Sequence, residues 1–223
     1  MDYQKKKYLS EMGLNLFWLK SNHKLSEEHQ SKLGSNLDEL KLTVSSCKRC
    51  DLSQTRDKTV FGSGQDDSKI MIIGEAPGKD EDLSGEPFVG RAGKLLDEIL
   101  LSIGIERQSV YVTNTIKCRP PDNRNPKNDE IESCADYLDE QIDTVNPSVI
   151  VLLGKVAANR LLQMDETMQN LRSQVFLHKK SNTPMIVFYH PAYILRSPLQ
   201  KRGVWQDLKF LMSTMEKYGS TSN

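Results

Sequence analysis

The chain has 223 residues, 37% of them hydrophobic, and its 30 basic and 30 acidic side chains give a formal net charge of zero. This length suits one large domain with a substantial core. Balanced charge excludes a global field that attracts nucleic acid, so any such binding must come from local patches. The N-terminal residues MDYQKKKYLSEMG lack the apolar core of a signal peptide, and no run approaches the ~18 apolar residues of a membrane span. We therefore expect a cytoplasmic protein that has no membrane segment.

Residues 1–46 predict a helical extension and a linker. Apolar residues recur at near-helical spacing between positions 3 and 20, and the polar stretch SNHKLSEEHQSKLGSN follows them. From Cys47 onward, short apolar runs become frequent. We predict a single catalytic domain over residues 47–218 and a frayed tail at 219–223.

Four short apolar runs beyond Cys47 have the length and composition of buried strands. They are KIMIIG (69–74), SVYVTN (109–114), SVIVLLG (148–154) and TPMIVFYH (183–190). Apolar residues fall on one helical face at 95–103, 131–145 and 156–162, and a last amphipathic helix is expected over 204–217. This alternation predicts an α/β fold with three αβα layers and a central four-stranded, mainly parallel sheet.

Chemically active side chains follow the predicted strands. The first strand runs into GEAPG (74–78), the second ends at Asn114, and the fourth ends at His190. Ligands of open parallel sheets bind beyond the carboxyl ends of the strands, so a carboxylate, an amide and an imidazole should meet on one rim. Phe88, in the loop GEPFVG, is a candidate for stacking on a base.

The four cysteines form two pairs. Cys47 and Cys50 belong to a Cys-x2-Cys motif, while Cys118 and Cys134 are separated by fifteen residues. Four thiolates suit either tetrahedral zinc or a cubic iron–sulfur cluster, and spacing alone leaves both open. The other interpretations are a redox-active Cys-x2-Cys, which leaves Cys118 and Cys134 unexplained, and scattered structural thiols. We predict a metal centre that ties the segment before the first strand to the sheet.

Four motifs occur together with this cysteine spacing and in a fixed order: GEAPG, GEPFVGRAGKLL, VTNTIKCRPPDNR and HPAYILR. In this combination the chain, over about residues 47–217, resembles the iron–sulfur (family 4) uracil-DNA glycosylases of the uracil-DNA glycosylase superfamily. The resemblance implies a 4Fe-4S cluster, in preference to zinc, on Cys47, Cys50, Cys118 and Cys134. It also implies hydrolysis of the N-glycosidic bond of uracil in DNA to leave an abasic site, the first step of base excision repair. No lysine in the motifs suggests a Schiff-base lyase step, so a monofunctional enzyme is expected.

Base recognition is assigned to four residues. Uracil presents an N3–H donor between two carbonyls and cytosine presents the reverse pattern, so the Asn114 carboxamide can select uracil. The resemblance implies that Phe88 stacks on the flipped base and that Glu81 lines the uracil C5 edge, where a thymine methyl would clash. Backbone amides near Ala76 are expected to contact the developing oxyanion.

Hydrolysis requires stabilisation of departing uracil and a positioned water. His190 resembles the family residue at uracil O2. The better-known branch of the superfamily has an aspartate where this chain has Ala76, so another group must activate the water. Glu75 is preferred for that role, and Asn123 is the second candidate.

The expected partner is uracil-containing DNA, single- or double-stranded, bound by a monomer. Arg119, Arg124 and Arg196 are expected to meet phosphates. Leu195 and Arg196 resemble the wedge that fills the gap left by the flipped nucleotide.

Three other functions remain open. The first is a glycosylase for hypoxanthine or other deaminated bases, or one that forms a covalent adduct with the sugar. Asn114 favours uracil over purines, and the loop after Cys118 lacks the Arg- and His-rich insert of the covalent branch. The second is a non-catalytic nucleic-acid-binding relative, against which Asn114, Phe88 and His190 argue as a set. The third is a zinc-stabilised scaffold or redox protein.

Overall fold

The computed structural model describes residues 36–219, with side chains for 37–218, so the helical pattern predicted at positions 3–20 lies outside the described residues. The helices are α1 (Asn36–Ser45), α2 (Lys79–Ser84), α3 (Arg91–Leu101), α4 (Asn128–Val145), α5 (Gly154–Leu162), α6 (Met168–Leu171), α7 (Pro191–Arg196) and α8 (Lys201–Gly219). The strands are β1 (Ile70–Gly74), β2 (Tyr111–Asn114), β3 (Val149–Leu153), β4 (Phe176–Leu177) and β5 (Pro184–Phe188).

The strands form one sheet in the order β2-β1-β3-β5-β4. The four predicted strands are present as β1, β2, β3 and β5, and they pair in parallel. Every residue in these four strands is buried, which explains why their sequences are continuous apolar runs. The sheet has one more strand than predicted, because β4 adds an antiparallel edge of two residues to β5.

Helices cover both faces of the sheet, which confirms the three-layer αβα prediction. Along β1, Met71 and Ile73 face one core cluster, while Ile70 and Ile72 face the other. The first cluster receives α1, α4, α5 and α6, and the second receives α3, α7 and α8. Within residues 36–219, no helix is both long and apolar enough to cross a membrane.

Helix α1 belongs to the segment that the sequence assigned to an N-terminal extension. Its buried side chains Leu37, Leu40 and Val44 recur at helical spacing and pack into the first core cluster. Helix α1 contacts α4, so the folded core begins upstream of Cys47.

Candidate active site

A cavity of about 470 Å³ opens beyond the carboxyl ends of β1, β2 and β5. Nine of the eleven residues predicted to contact base, water or DNA line it. They are Glu75, Ala76, Glu81, Phe88, Asn114, Asn123, Arg124, His190 and Arg196. The other two, Arg119 and Leu195, do not line this cavity. The convergence of strand-end side chains expected from the sequence is therefore present.

Asn114 ends β2 with its side chain buried. Its Oδ1 atom has no hydrogen-bond partner within the described part of the chain, although leaving such an atom unpaired costs about 1–3 kcal/mol. The neighbouring Gly74 leaves the space that this amide occupies, since a Cβ there would lie 2.5 Å from Oδ1. Asn114 lines the cavity, and its unpaired oxygen is an acceptor that a ligand donor could satisfy.

Phe88 reaches the cavity from a backbone conformation that bulky side chains rarely adopt, with φ of 57°. Its ring centroid lies 5.7 Å from that of His190. Two contacts fix the loop. The Phe88 carbonyl packs directly against Gly93, where an added Cβ would lie only 1.6 Å from the carbonyl oxygen, and Arg107 Nη2 donates a hydrogen bond to Pro87 O at 3.1 Å. The aromatic ring is therefore held in place in the cavity wall.

Glu81 lines the cavity and also braces the loop that carries Phe88. Its Oε1 accepts hydrogen bonds from the backbone amides of Val89 at 3.0 Å and Gly90 at 2.9 Å. Its Oε2 accepts from the Gly78 amide at 3.0 Å, which caps α2. One carboxylate thus connects the turn after β1 to the aromatic loop, a role that the sequence motif did not reveal.

Glu75 follows β1 and is half-buried in the cavity wall. Burial raises the pKa of its carboxyl above the ordinary value. Its carbonyl oxygen accepts from the Thr115 hydroxyl at 2.5 Å, which joins the turns that follow β1 and β2. A carboxylate with a raised pKa at a strand end is suited to accept a proton from water.

His190 is the N-cap of α7. Its Nδ1 accepts from the Ala192 amide at 3.2 Å, so the neutral ring carries its proton on Nε2. Burial, and to a lesser extent Arg196, lowers the pKa of His190 to about 4. His190 packs closely against Gly154, which has φ of 85°. A Cβ at Gly154 would lie 3.1 Å from His190 Cβ, so glycine leaves the space that the histidine needs. The imidazole can therefore act as a neutral hydrogen-bond donor.

The segment Pro120-Pro121-Asp122-Asn123 turns back toward the cavity through two left-handed residues, Asp122 at φ 56° and Asn123 at φ 53°. Asn123 Oδ1 accepts from Arg119 Nε at 2.7 Å. Arg124 pairs with the Glu130 carboxylate through Nη1 at 2.9 Å and Nη2 at 2.5 Å. Both arginines predicted to meet phosphates here thus have partners within the protein.

The end of α7 carries the predicted wedge. Leu195 is 39% exposed, and Arg196 lines the cavity. Leu199, in the short turn after α7, is 92% exposed, and nothing in the local sequence predicted this exposure. An apolar side chain can therefore reach solvent close to the cavity.

All four cysteines are unbridged thiols and surround one small enclosed cavity. Arg56 Nη1 donates to Cys118 Sγ at 3.0 Å, and the Arg49 amide donates to Cys47 Sγ at 3.5 Å. Burial raises the pKa of Cys118 to about 11. Within residues 36–219, no three His, Cys, Asp or Glu side chains are grouped as a site for a single metal ion. The thiols and their N–H donors fit a negatively charged thiolate cluster.

Lys117 is a fully buried side chain beside the thiols. Burial lowers its pKa to about 8, and Nζ donates to Thr113 Oγ1 at 2.7 Å and Asn114 O at 2.8 Å. Neither Lys117 nor Arg56 was predicted from the sequence. The position of Lys117, between an apolar run and Cys118, could have indicated a buried lysine. Nothing in the sequence near Arg56 indicates its contact with Cys118.

Comparison with known proteins identifies the family of this chain. Residues 61–209 match the uracil DNA glycosylase superfamily. The chain is 42% identical to a type-4 uracil-DNA glycosylase of Archaeoglobus fulgidus over 78% of this chain and 90% of the relative. It is 38% identical to that of Thermotoga maritima, over 79% and 93% respectively. A type-5 uracil-DNA glycosylase of Pyrobaculum aerophilum is 31% identical over 45% of this chain and 51% of its own length. The chain belongs to the uracil-DNA glycosylase superfamily and, within it, to the type-4 family.

Proposed function

We propose that this protein is a monofunctional uracil-DNA glycosylase that hydrolyses the bond between uracil and deoxyribose and leaves an abasic site. The observation that carries the proposal is the buried Asn114 amide, whose Oδ1 lacks a partner within the described chain and borders the cavity. The names of the type-4 relatives support the same substrate.

Asn114 selects the base by its donor and acceptor pattern. Oδ1 accepts from uracil N3–H while the amide nitrogen donates to O4, and cytosine offers the opposite groups at both positions. Phe88 stacks on the flipped base, and Glu81 forms the wall at C5. The bracing of Glu81 by three backbone amides supports a wall that would not yield to a thymine methyl.

His190 stabilises the departing uracil anion. Because Nδ1 accepts the Ala192 amide, Nε2–H is the atom that donates to uracil O2. Backbone amides near Ala76 share this role. A ring whose pKa is about 4 stays neutral at physiological pH, so it donates a hydrogen bond without first losing a charge.

Glu75 activates the water. The water oxygen forms a bond to C1′, the glycosidic electron pair leaves with uracil N1, and the proton lost by water passes to the Glu75 carboxylate. Asn123, in the same cavity wall, orients the water.

The DNA reaches this cavity with its uracil flipped out of the stack. Leu195 fills the gap and Arg196 contacts the backbone at the end of α7. Both single- and double-stranded DNA can serve as substrate, and the enzyme acts as a monomer. Free thiols suit the reducing cytoplasm.

Cys47, Cys50, Cys118 and Cys134 would hold a 4Fe-4S cluster. All four thiols line one small cavity, which supports a single centre held by four thiolates. The resemblance to the iron–sulfur glycosylases favours a 4Fe-4S cluster over zinc. When bound, the cluster supplies a structural cross-link and takes no part in the hydrolysis.

The test uses an end-labelled oligonucleotide with one uracil, followed by hot alkali, which cuts abasic sites. Matched oligonucleotides carry thymine, cytosine or hypoxanthine instead. Cleavage at uracil that is lost in Asn114→Ala and His190→Ala supports the proposal. Absence of cleavage by folded, iron-loaded protein refutes it and favours a non-catalytic binding protein, while cleavage at hypoxanthine indicates broader base specificity.

A further inference from the structure

Arg119 has an internal environment that a phosphate contact does not need. Its Nε donates to Asn123 Oδ1 at 2.7 Å, and its Nη1 lies 3.9 Å from Asp82 Oδ2. Its side chain is 24% exposed and does not line the cavity. The guanidinium therefore lies between a buried carboxylate and an amide in the cavity wall.

Asp82 is a fixed anchor for this arrangement. It is buried in α2, and its Oδ1 accepts from the backbone amides of Asp57 at 3.1 Å and Lys58 at 3.4 Å. The other oxygen, Oδ2, faces Arg119. A chain of polar contacts thus runs from the protein interior through Arg119 to Asn123.

These polar contacts determine which end of the Asn123 amide is available to a ligand. A guanidinium has donors only, so the atom that faces Arg119 Nε must be the amide oxygen. Nδ2 is then the atom left for the cavity.

We propose that Arg119 is a positioning residue that acts through Asn123, keeping the amide oriented as a donor to the attacking water. The inference rests on the proposed function. Water that accepts a hydrogen bond from Nδ2 keeps one lone pair for C1′ and can give its proton to Glu75. Without Arg119 the amide can rotate, and its oxygen then competes for the water proton.

The test is a double-mutant cycle with Arg119→Met, Asn123→Ala and the double variant, measured as single-turnover cleavage of uracil DNA at saturating enzyme. Each single variant lowers the rate roughly tenfold or more, because orientation of the water is lost. The double variant is no slower than the slower single variant, since both remove one function. Arg119→Gln provides a second variant for the cycle if Arg119→Met does not fold.

Salt dependence separates positioning from phosphate contact. A lost phosphate contact lowers the slope of log Kd against log salt by about 0.9. Arg119→Met keeps the wild-type slope, whereas the control Arg196→Gln lowers it. The inference is overturned if the rate losses of the two single variants multiply in the double variant. It is also overturned if Arg119→Met reduces the slope of log Kd against log salt. Wild-type protein that does not cleave uracil DNA refutes the proposed function instead.

Discussion

The proposed selection of uracil depends on one buried residue, Asn114. Its unpaired oxygen is destabilising in the free protein, and in the proposed complex it accepts a hydrogen bond from the N3–H of uracil. A site of this kind discriminates strongly, because the wrong base leaves buried polar groups unpaired.

Asn114→Asp replaces the donor at this position with a second acceptor. We expect kcat/KM for uracil DNA to fall by roughly 10²-fold or more, as when one essential hydrogen bond to the transition state is removed, and the preference for uracil over cytosine to fall with it. Asn125→Asp is the matched control, because it places the same charge in the cavity wall at an exposed position. An Asn114→Asp variant that keeps wild-type preference would exclude base reading by this residue.

The pH profile separates Glu75 from His190. Burial raises the pKa of the Glu75 carboxyl above its ordinary value and lowers the pKa of His190 to about 4, so His190 is already neutral where Glu75 ionises. A base works when ionised, and single-turnover activity should therefore fall as pH drops through the raised Glu75 pKa.

Glu75→Gln should lower the single-turnover rate and abolish the fall in activity at low pH, which is the acid limb of the pH profile. His190→Gln should lower the rate by roughly 10²–10³-fold and leave the limb in place. If the limb disappears in His190→Gln and persists in Glu75→Gln, the two roles are assigned the wrong way round.

At the scale of elements, the cysteines connect segments that are far apart in sequence. Cys47 and Cys50 follow α1, Cys118 follows β2, and Cys134 lies in α4. All four line one cavity, so a bound cluster would fasten α1 and the segment before β1 to the sheet.

Cys134→Ser should reduce the iron content per protein and lower the melting temperature. Loss of about 2 kcal/mol would shift the melting temperature by roughly 4–8 °C for a domain of this size. Ala158→Ser, a buried helical position that gains a hydroxyl away from the cluster, controls for the polar substitution. Unchanged iron content in Cys134→Ser would remove that residue from the ligand set.

Most elements were predictable from the sequence because their patterns are long or strongly apolar. The four long strands are buried on both faces, and α8 begins three residues before its predicted start and ends two after its predicted end. Strand β4 has only two residues, and α2 has six, KDEDLS, of which Leu83 alone is apolar, so neither carries a periodic pattern. Helix α1 was assigned to the extension because its apolar residues are few and follow a polar stretch.

Site residues at strand ends were predictable because a parallel sheet brings those ends together. Side-chain partnerships were not, since they depend on contacts across the fold. Glu81 appeared as a wall residue and also binds three backbone amides, and Arg119 appeared as a phosphate contact and binds Asn123. Nothing in the local sequence of Arg119 indicates that Asp82 lies beside it.

At the scale of the whole molecule, zero net charge means that DNA affinity depends on a few local cations. Two candidates, Arg119 and Arg124, are paired internally. We expect a slope of log Kd against log salt of roughly 3 or less, equivalent to about three phosphate contacts.

Arg196→Gln should lower that slope by about 0.9. Lys209→Gln, an exposed position of α8 outside the cavity wall, should leave it unchanged. Equal slopes for wild type and Arg196→Gln would show that Arg196 does not contact phosphate.

The most direct single measurement is one turnover on uracil DNA in heavy-oxygen water, with both products analysed by mass spectrometry. Hydrolysis predicts free uracil without the label and an abasic sugar that carries one heavy oxygen at C1′. Uracil retained in intact DNA would contradict catalysis, and a sugar linked to protein would contradict hydrolysis by water.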